Sequence, residues 1–200
     1  MESPFFATVS RMKYIERWAL MRSSRQENLS EHTAEVAMIA HALCLIGNRR
    51  YGKHLNADRA AVIALYHDAS EIITGDMPTP VKYFNRDIKS AYKAVEKTAE
   101  AKLLSQLPPD LKPYYADLFG VAQSPSEDEA YLRGLVKAAD KISALIKCIE
   151  EKFAGNTEFA KAEETTWDSV REICEKYPEA SDFVRDFLPS YGRTLDELLS

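Results

Sequence analysis

The chain has 200 residues, of which 46% are hydrophobic, and this is enough to build the core of one globular domain over residues 1–200. Its 31 acidic and 26 basic side chains are spread along the sequence and give a net charge of −5, which argues against a nucleic-acid polymer as the main partner. No apolar run approaches the roughly 18 residues of a membrane span, and the three scattered cysteines predict no disulfide framework, so we expect a soluble cytoplasmic protein that does not bind membranes.

An all-α fold is predicted, because the sequence has few glycines and little strict alternation of apolar and polar residues. In SEHTAEVAMIAHALCLI the apolar residues recur at intervals of three and four, which predicts an amphipathic helix with Ser30 as its N-cap. A second helix is predicted to start near Asn56, to carry ADRAAVIALYHDASEII, and to end before Gly75.

Two longer helices follow in the sequence. NRDIKSAYKAVEKTAEAKLLSQL is predicted to stop at the proline pair 108–109, and DEAYLRGLVKAADKISALIKCIEEKF is predicted to stop near Gly155. The predicted buried seam of the latter helix consists of Leu135, Ala139, Ile142, Ile146 and Ile149. Two or three shorter helices are predicted to follow to Ser200. Residues 120–130, GVAQSPSEDEA, are the best candidate for a linker, but we do not interpret them as a domain boundary.

His67, Asp68 and Glu71 form a polar cluster within the otherwise apolar second helix. Glu71 is expected to lie near the other two, because side chains three and four residues apart share one helix surface. The apolar flanks place this cluster at the edge of the core, where a divalent cation would satisfy an imidazole and a carboxylate together. The ordinary alternative to a metal site is that His67 and Asp68 form an exposed pair, or that His67 is a core histidine with a hydrogen-bond partner. His67 and Asp68 are also adjacent, and adjacent helical side chains point about 100° apart, so spacing alone does not place both on one metal.

Two further residues favour a metal site. His32 heads the apolar stripe of its helix and is expected to point inward, and Asp140 follows two alanines at the margin of the buried seam. Taken singly, Asp140 could also cap a neighbouring helix or pair with an arginine. Two imidazoles and two carboxylates suit manganese, iron, cobalt, nickel or zinc better than magnesium. His41, off the apolar stripe, and His54, in a basic loop, are not predicted to take part.

The segments EHTAEVAMIAHAL, ALYHDASEIITGDMPTPVKYF and LVKAADKISALIKCIEE resemble the H…HD…D pattern of HD-domain metal-dependent phosphohydrolases. With ERWALMR upstream, nearly the whole chain resembles the bacterial 5'-deoxynucleotidases of the YfbR type. This resemblance implies a single HD-domain helical bundle with the metal site between core helices, and a homodimer. It also implies one divalent transition metal, for which we expect cobalt or manganese, with zinc, nickel and iron as alternatives. The implied metal ligands are His32, His67, Asp68 and Asp140.

The same resemblance implies roles for the residues around the metal. Glu71 is implied as the catalytic residue, and a carboxylate beside the ligands can orient or deprotonate water. Arg17 is implied to contact the phosphate, for which its planar and permanently charged guanidinium is suited. Trp18 and Asp76 are implied to contact the sugar, and Thr79 is expected to add a polar contact. Without the resemblance, Arg17 would be interpreted as a surface arginine, Trp18 as a packed aromatic residue and Asp76 as the start of a turn.

The expected activity is the hydrolysis of 5'-deoxyribonucleoside monophosphates, which are small-molecule substrates, to deoxynucleoside and phosphate. Another HD phosphohydrolase activity is the enzymatic alternative: a phosphodiesterase, a nucleoside triphosphate hydrolase or an alarmone hydrolase. Triphosphates would require more basic groups than Arg17, and Arg22 and Arg25 are the only obvious ones. The alternative outside catalysis is an HD module that binds a nucleotide or a partner protein, and such a module would usually lack Glu71 or a metal ligand.

Overall fold

The computed structural model describes residues 2–82, 84–121 and 125–200, and these residues are mainly α-helical. The helices are α1 (Phe5–Val9), α2 (Leu29–Arg50), α3 (Ala57–Tyr66), α4 (Glu71–Thr74), α5 (Thr79–Lys82), α6 (Arg86–Ser105), α7 (Lys112–Leu118), α8 (Glu127–Phe153), α9 (Ala160–Lys176), α10 (Pro178–Asp186) and α11 (Leu195–Leu199). Short 3-10 segments occur at Ser10–Tyr14, Thr157–Phe159 and Leu188–Ser190. Within the described ranges, strand-like pairing is limited to one isolated antiparallel bridge between Glu16 and Asn28, so the predicted all-α class is confirmed.

The helix around His32 is confirmed, but its first residues differ from the prediction. Helix α2 begins at Leu29, and its N-cap is Asn28 rather than Ser30. The Oδ1 atom of Asn28 accepts hydrogen bonds from the backbone N–H groups of Ser30 at 3.0 Å and Glu31 at 3.1 Å. The carboxylate of Glu31 in turn accepts from the backbone N–H of Asn28 at 3.2 Å, which completes a reciprocal capping arrangement.

The two longer helices are also confirmed. Helix α6 is capped by Asn85 and ends at Ser105, three residues before the proline pair. Helix α8 begins at Glu127, and its predicted seam is buried as expected. Of the linker candidate at 120–130, residues 122–124 lie outside the described residues, and the segment from Glu127 onwards is helical. No helix in the described part of the chain is both long and apolar enough to cross a bilayer.

The chain divides into two compact units, and the first comprises Met1–Leu20, Gln26–Ala34 and Leu65–Pro125. Its core contains Phe5, Met12, Leu29, Ala69, Leu103, Leu104 and Leu107. The ring of Tyr115 packs edge-on against those of Phe5 and Tyr66, with centroid separations of 4.9 and 5.7 Å. Because Leu29 and Ala69 are fully buried, this core fixes both the start of α2 and the turn that follows α3.

The second unit comprises Met21–Arg25, Glu35–Ala64 and Ser126–Ser200, and in it α8 packs against α9 and α10. The buried carboxylate of Glu151 accepts hydrogen bonds from Lys147 Nζ at 2.5 Å, from the backbone N–H of Ser24 at 2.8 Å and from Asn156 Nδ2 at 2.7 Å. Burial alone would raise the pKa of Glu151, but these hydrogen bonds outweigh burial and lower the pKa to about 2. The expectation of one domain over residues 1–200 stays a prediction.

Candidate active site

Three side chains of types that can hold a metal ion meet where the first turn of α2 faces the turn between α3 and α4. The Oδ2 atom of Asp68 lies 3.1 Å from Nε2 of His67 and 3.6 Å from Nε2 of His32, and the donor atoms of all three residues lie within 4.8 Å of one another. Ligand atoms bound about 2.1 Å from one ion lie up to about 4.2 Å apart, so the two distances from Asp68 fit a shared divalent cation. Mixed nitrogen and oxygen donors are typical of transition-metal sites.

Residues 67–70 form a turn, whereas the sequence predicted a continuous helix here. Helix α3 ends at Tyr66, whose carbonyl oxygen accepts from the backbone N–H of Ala69 at 3.1 Å, the i to i+3 pattern of a tight turn. The side chain of Ala69 is buried in the core of the first unit, which holds the turn in place. The divergence of adjacent helical side chains therefore does not apply, and His67 and Asp68 face each other.

Arg17 and Asp76 stand beside the donor atoms. The Nη1 atom of Arg17 lies 3.8 Å from Oδ2 of Asp68 and 4.0 Å from Oδ2 of Asp76. Gly75 terminates α4 with a φ of 73°, and this left-handed conformation turns the chain into Asp76. Burial raises the pKa of Asp76 above its ordinary value, and the charge of Arg17 limits the rise. The site thus combines a guanidinium, suited to phosphate oxygens, with a second carboxyl group.

Glu71 is the first residue of α4 and is only 5% exposed. Burial raises the pKa of Glu71 to about 9, with a further contribution from the charges of Asp68 and Asp76, while Lys82 and Arg17 oppose the rise. Among the residues that the structure describes, no group donates a hydrogen bond to its Oε2 atom. A cation bound by the neighbouring donors would favour the ionised carboxylate, so Glu71 has the environment of a group that exchanges a proton.

Trp18 is held by a carboxylate that the sequence analysis missed. Two backbone hydrogen bonds pair the segments around it, from Arg17 N–H to Glu27 O and from Leu29 N–H to Ile15 O, both at 2.9 Å. The indole Nε1 of Trp18 donates to Oε2 of Glu27 at 2.8 Å. Trp18 has a φ of 58° and is the only non-glycine residue in the described ranges with a positive φ, a conformation uncommon for a bulky side chain.

Lys82 is a second charged group that the sequence analysis did not single out. Its Nζ pairs with Oε1 of Glu96 at 3.0 Å and lies over the ring of Tyr92, 4.7 Å from the centroid. Its charge also opposes the rise in the pKa of Glu71 that burial causes. Its place at the end of the TPVK segment, next to the predicted sugar loop, was the available signal.

Two further residues, Thr79 and Asp140, were predicted for the site. Thr79 is the first residue of α5 and is exposed. Asp140 belongs to α8 in the second unit, and its Oδ2 accepts from Lys141 Nζ at 3.1 Å. A sugar contact for Thr79 and metal ligation by Asp140 stay predictions.

Comparison with known proteins identifies the family of this chain. A family model described as 5'-deoxynucleotidase YfbR-like matches residues 4–191. A 5'-deoxynucleotidase of Vibrio vulnificus is 50% identical over 197 residues, which cover 98% of this chain and 98% of that protein.

Solved structures show the same architecture. An HD-domain phosphohydrolase from Listeria innocua superimposes with a TM-score of 0.78 at 22% identity, over 94% of this chain and 87% of that one. The cyanophage S-2L HD phosphohydrolase DatZ, bound to dA and one catalytic Zn²⁺ ion, superimposes with a TM-score of 0.64 at 19% identity, over 94% of this chain and 96% of that one. The fold is therefore that of an HD-domain helical protein, as predicted.

Proposed function

The chain belongs to the YfbR-like 5'-deoxynucleotidase family, and on this premise we propose that it hydrolyses 5'-deoxyribonucleoside monophosphates to deoxynucleoside and inorganic phosphate. The observation that carries this proposal is the position of Arg17 Nη1, 3.8 Å from Asp68 within the His32–His67–Asp68 cluster. A phosphomonoester dianion requires charge neutralisation beside an activated water, and this arrangement offers both.

We assign one divalent metal to His32, His67 and Asp68, with Asp140 as the fourth ligand. Cobalt and manganese are proposed first, and zinc, nickel and iron are the alternatives, because the donor set contains no thiolate. When bound, such an ion supplies Lewis-acid chemistry that polarises phosphoryl oxygens and acidifies water. Glu71 orients the attacking water and accepts its proton as the water oxygen bonds to phosphorus. The bond between phosphorus and the 5'-oxygen breaks in the same displacement, and the leaving 5'-oxygen takes up a proton from solvent.

Arg17 and the sugar-binding residues orient the substrate around this centre. The guanidinium of Arg17 donates hydrogen bonds to the non-bridging oxygens of the phosphate. Asp76 accepts a hydrogen bond from the 3'-hydroxyl, and Thr79 adds a polar contact. The indole of Trp18 stands against C2' and offers no acceptor for a 2'-hydroxyl, so a ribonucleotide is disfavoured.

A monophosphate suits the available cations better than a triphosphate does. Arg22, one of the two arginines considered as additional phosphate ligands, donates to Oε2 of Glu158 at 2.6 Å within the second unit. Within the first unit, Arg17 is the arginine placed beside the candidate metal donors, and one guanidinium suits the single phosphate of a monophosphate better than the several phosphates of a triphosphate or an alarmone.

We also propose that the protein is a cytoplasmic homodimer. Met38 and Leu45 are 68% and 45% exposed and lie seven residues apart on α2, hence on one face that a second copy could cover. Cys44, Cys148 and Cys174 form no disulfide in the described part of the chain, as is usual in a reducing compartment. Analytical ultracentrifugation tests the dimer: a monomer at micromolar concentration would contradict it.

The proposed activity is tested by measuring phosphate release from ribo- and deoxyribonucleoside mono-, di- and triphosphates with cobalt, manganese, zinc, magnesium or chelator. We expect release from deoxynucleoside monophosphates with a transition metal and none with chelator. Preferential release from triphosphates or a guanosine alarmone would favour the other HD activities. Binding of a nucleotide without turnover would indicate the non-catalytic module.

A further inference from the structure

Glu27 contacts three residues to which the proposed function gives different tasks. Its Oε2 accepts from the indole Nε1 of Trp18 at 2.8 Å and from Nε of Arg17 at 3.4 Å. Its Oε1 lies 3.8 Å from Nδ1 of His32, on the opposite side of that ring from the Nε2 that faces Asp68.

The backbone explains why Glu27 reaches all three. The N–H of Arg17 donates to the carbonyl oxygen of Glu27 at 2.9 Å, next to the isolated bridge that joins Glu16 and Asn28. This pairing sets the side chain of Glu27 next to both Arg17 and Trp18. The Glu27 side chain is 14% exposed and that of Arg17 is 11% exposed, so water competes little for their contacts.

Trp18 itself requires support from its surroundings. Its left-handed backbone is disfavoured for a tryptophan, and such a conformation persists only where the environment stabilises it. The hydrogen bond to Glu27 is charge-assisted and fixes the plane of the indole.

We propose that Glu27 is a positioning residue that determines sugar specificity, because it locks the indole of Trp18 in the orientation that excludes a 2'-hydroxyl. In the same contact it aligns the guanidinium of Arg17 for phosphate. This inference rests on the proposed function, since it presumes that Trp18 lies against the sugar.

The first test compares dAMP and AMP hydrolysis by the parent, Glu27→Ala and Glu27→Gln. The amide oxygen of glutamine still accepts from the indole, so Glu27→Gln should keep the dAMP-to-AMP ratio of kcat/KM within about twofold. Glu27→Ala frees the indole and should lower that ratio about tenfold, the order of discrimination that one buried hydroxyl provides. Both variants lack the charge beside Arg17, so both should raise KM for dAMP more than they lower kcat.

The second test needs no turnover. In a Trp167→Phe background, Trp18 is the only tryptophan of the chain, and its fluorescence anisotropy decay reports indole motion. We expect a fast local component on the nanosecond scale in Glu27→Ala but not in the parent or in Glu27→Gln. Glu16→Gln is the matched control. Glu16 is exposed and precedes Arg17 in the chain, so this substitution also removes one negative charge near Arg17. This control should match the parent in both tests.

The outcomes separate this inference from the proposed function. If Glu27→Ala is folded and keeps both the parental ratio and a rigid indole, Glu27 has no positioning role. If Glu27→Ala does not fold, Glu27→Met, which has similar length and no strong acceptor, takes its place under the same criteria. If the parent itself shows no preference for dAMP, the sugar assignment of the proposed function fails, and the anisotropy decay alone decides whether Glu27 holds Trp18.

Discussion

The Nε2 atom of His67 lies 3.1 Å from Oδ2 of Asp68, although the two residues are adjacent in the chain. One tight turn therefore presents two donors, and their geometry is set before a metal binds. His32 supplies the third donor. The proposed fourth ligand, Asp140, belongs to α8 and can be tested separately from this turn.

Asp140→Ala should reduce metal affinity by at least about a hundredfold, since loss of a residue that only hydrogen-bonds a metal ligand already costs roughly 10- to 100-fold. Isothermal titration calorimetry with Co²⁺ or Mn²⁺ measures the change. Asp128→Ala is the control, because Asp128 is an exposed acid in the first turn of the same helix α8. Parental affinity in Asp140→Ala would remove this residue from the metal site.

Glu71→Gln should retain metal and substrate binding but lose roughly 10²- to 10⁴-fold in kcat, because the amide cannot accept a proton from water. The substitution keeps the size of a buried side chain, so the fold should be preserved. Single-turnover phosphate release, with metal occupancy confirmed by elemental analysis, is the measurement. A variant that turns over near the parental rate would show that Glu71 has no part in proton transfer.

The sugar assignment predicts different results for Trp18→Ala and Asp76→Ala. Burying an unpaired 2'-hydroxyl against the indole costs about 1–3 kcal/mol, so the parent should prefer dAMP over AMP by about 10- to 100-fold. Trp18→Ala should narrow this preference. Asp76→Ala should weaken both substrates alike, because both sugars carry the 3'-hydroxyl that Asp76 is proposed to bind. An unchanged ratio in Trp18→Ala would make Trp18 a packing residue.

The contact between Lys147 and Glu151 predicts a pH dependence of stability. The pKa of Glu151 is about 2 in the folded protein, below its ordinary value of 4.5, so the ionised carboxylate stabilises the fold above pH 4.5. This contribution, on the order of 2–3 kcal/mol, should be lost as the pH falls from about 4.5 to about 2. Urea unfolding of the parent and Glu151→Gln measures it: their difference in unfolding free energy should shrink over that range. A difference that is constant with pH would contradict the assignment.

Much of the fold follows from periodicity and capping signals in the sequence. Helices α2, α6 and α8 were predictable, because their apolar residues recur at helical spacing. The turn at residues 67–70 was not, because neither glycine nor proline marks it and the apolar flanks fit a helix equally well. It exists because Ala69 packs into the core of the first unit, which is a tertiary effect.

Residues of the candidate site could be predicted only where helical spacing or a long sequence motif indicated them. His32 could be placed, because it heads an apolar stripe and is buried as expected. Glu27 could not, because its contacts depend on backbone pairing between two irregular segments, for which hydrophobic periodicity gives no signal. A carboxylate in a polar stretch is ordinarily solvated, so composition also gave no reason to select it.

The two tryptophans of the chain lie in different compact units, Trp18 in the first and Trp167 in the second. The fluorescence of each indole thus reports the unfolding of its own unit. Trp18→Phe retains only Trp167, and Trp167→Phe retains only Trp18. If residues 1–200 unfold as one cooperative domain, both single-tryptophan proteins should give the same denaturation midpoint, and that midpoint should match circular dichroism at 222 nm. Two separated midpoints would mean that the units lose their structure independently. A destabilising substitution in one unit would then leave the other folded.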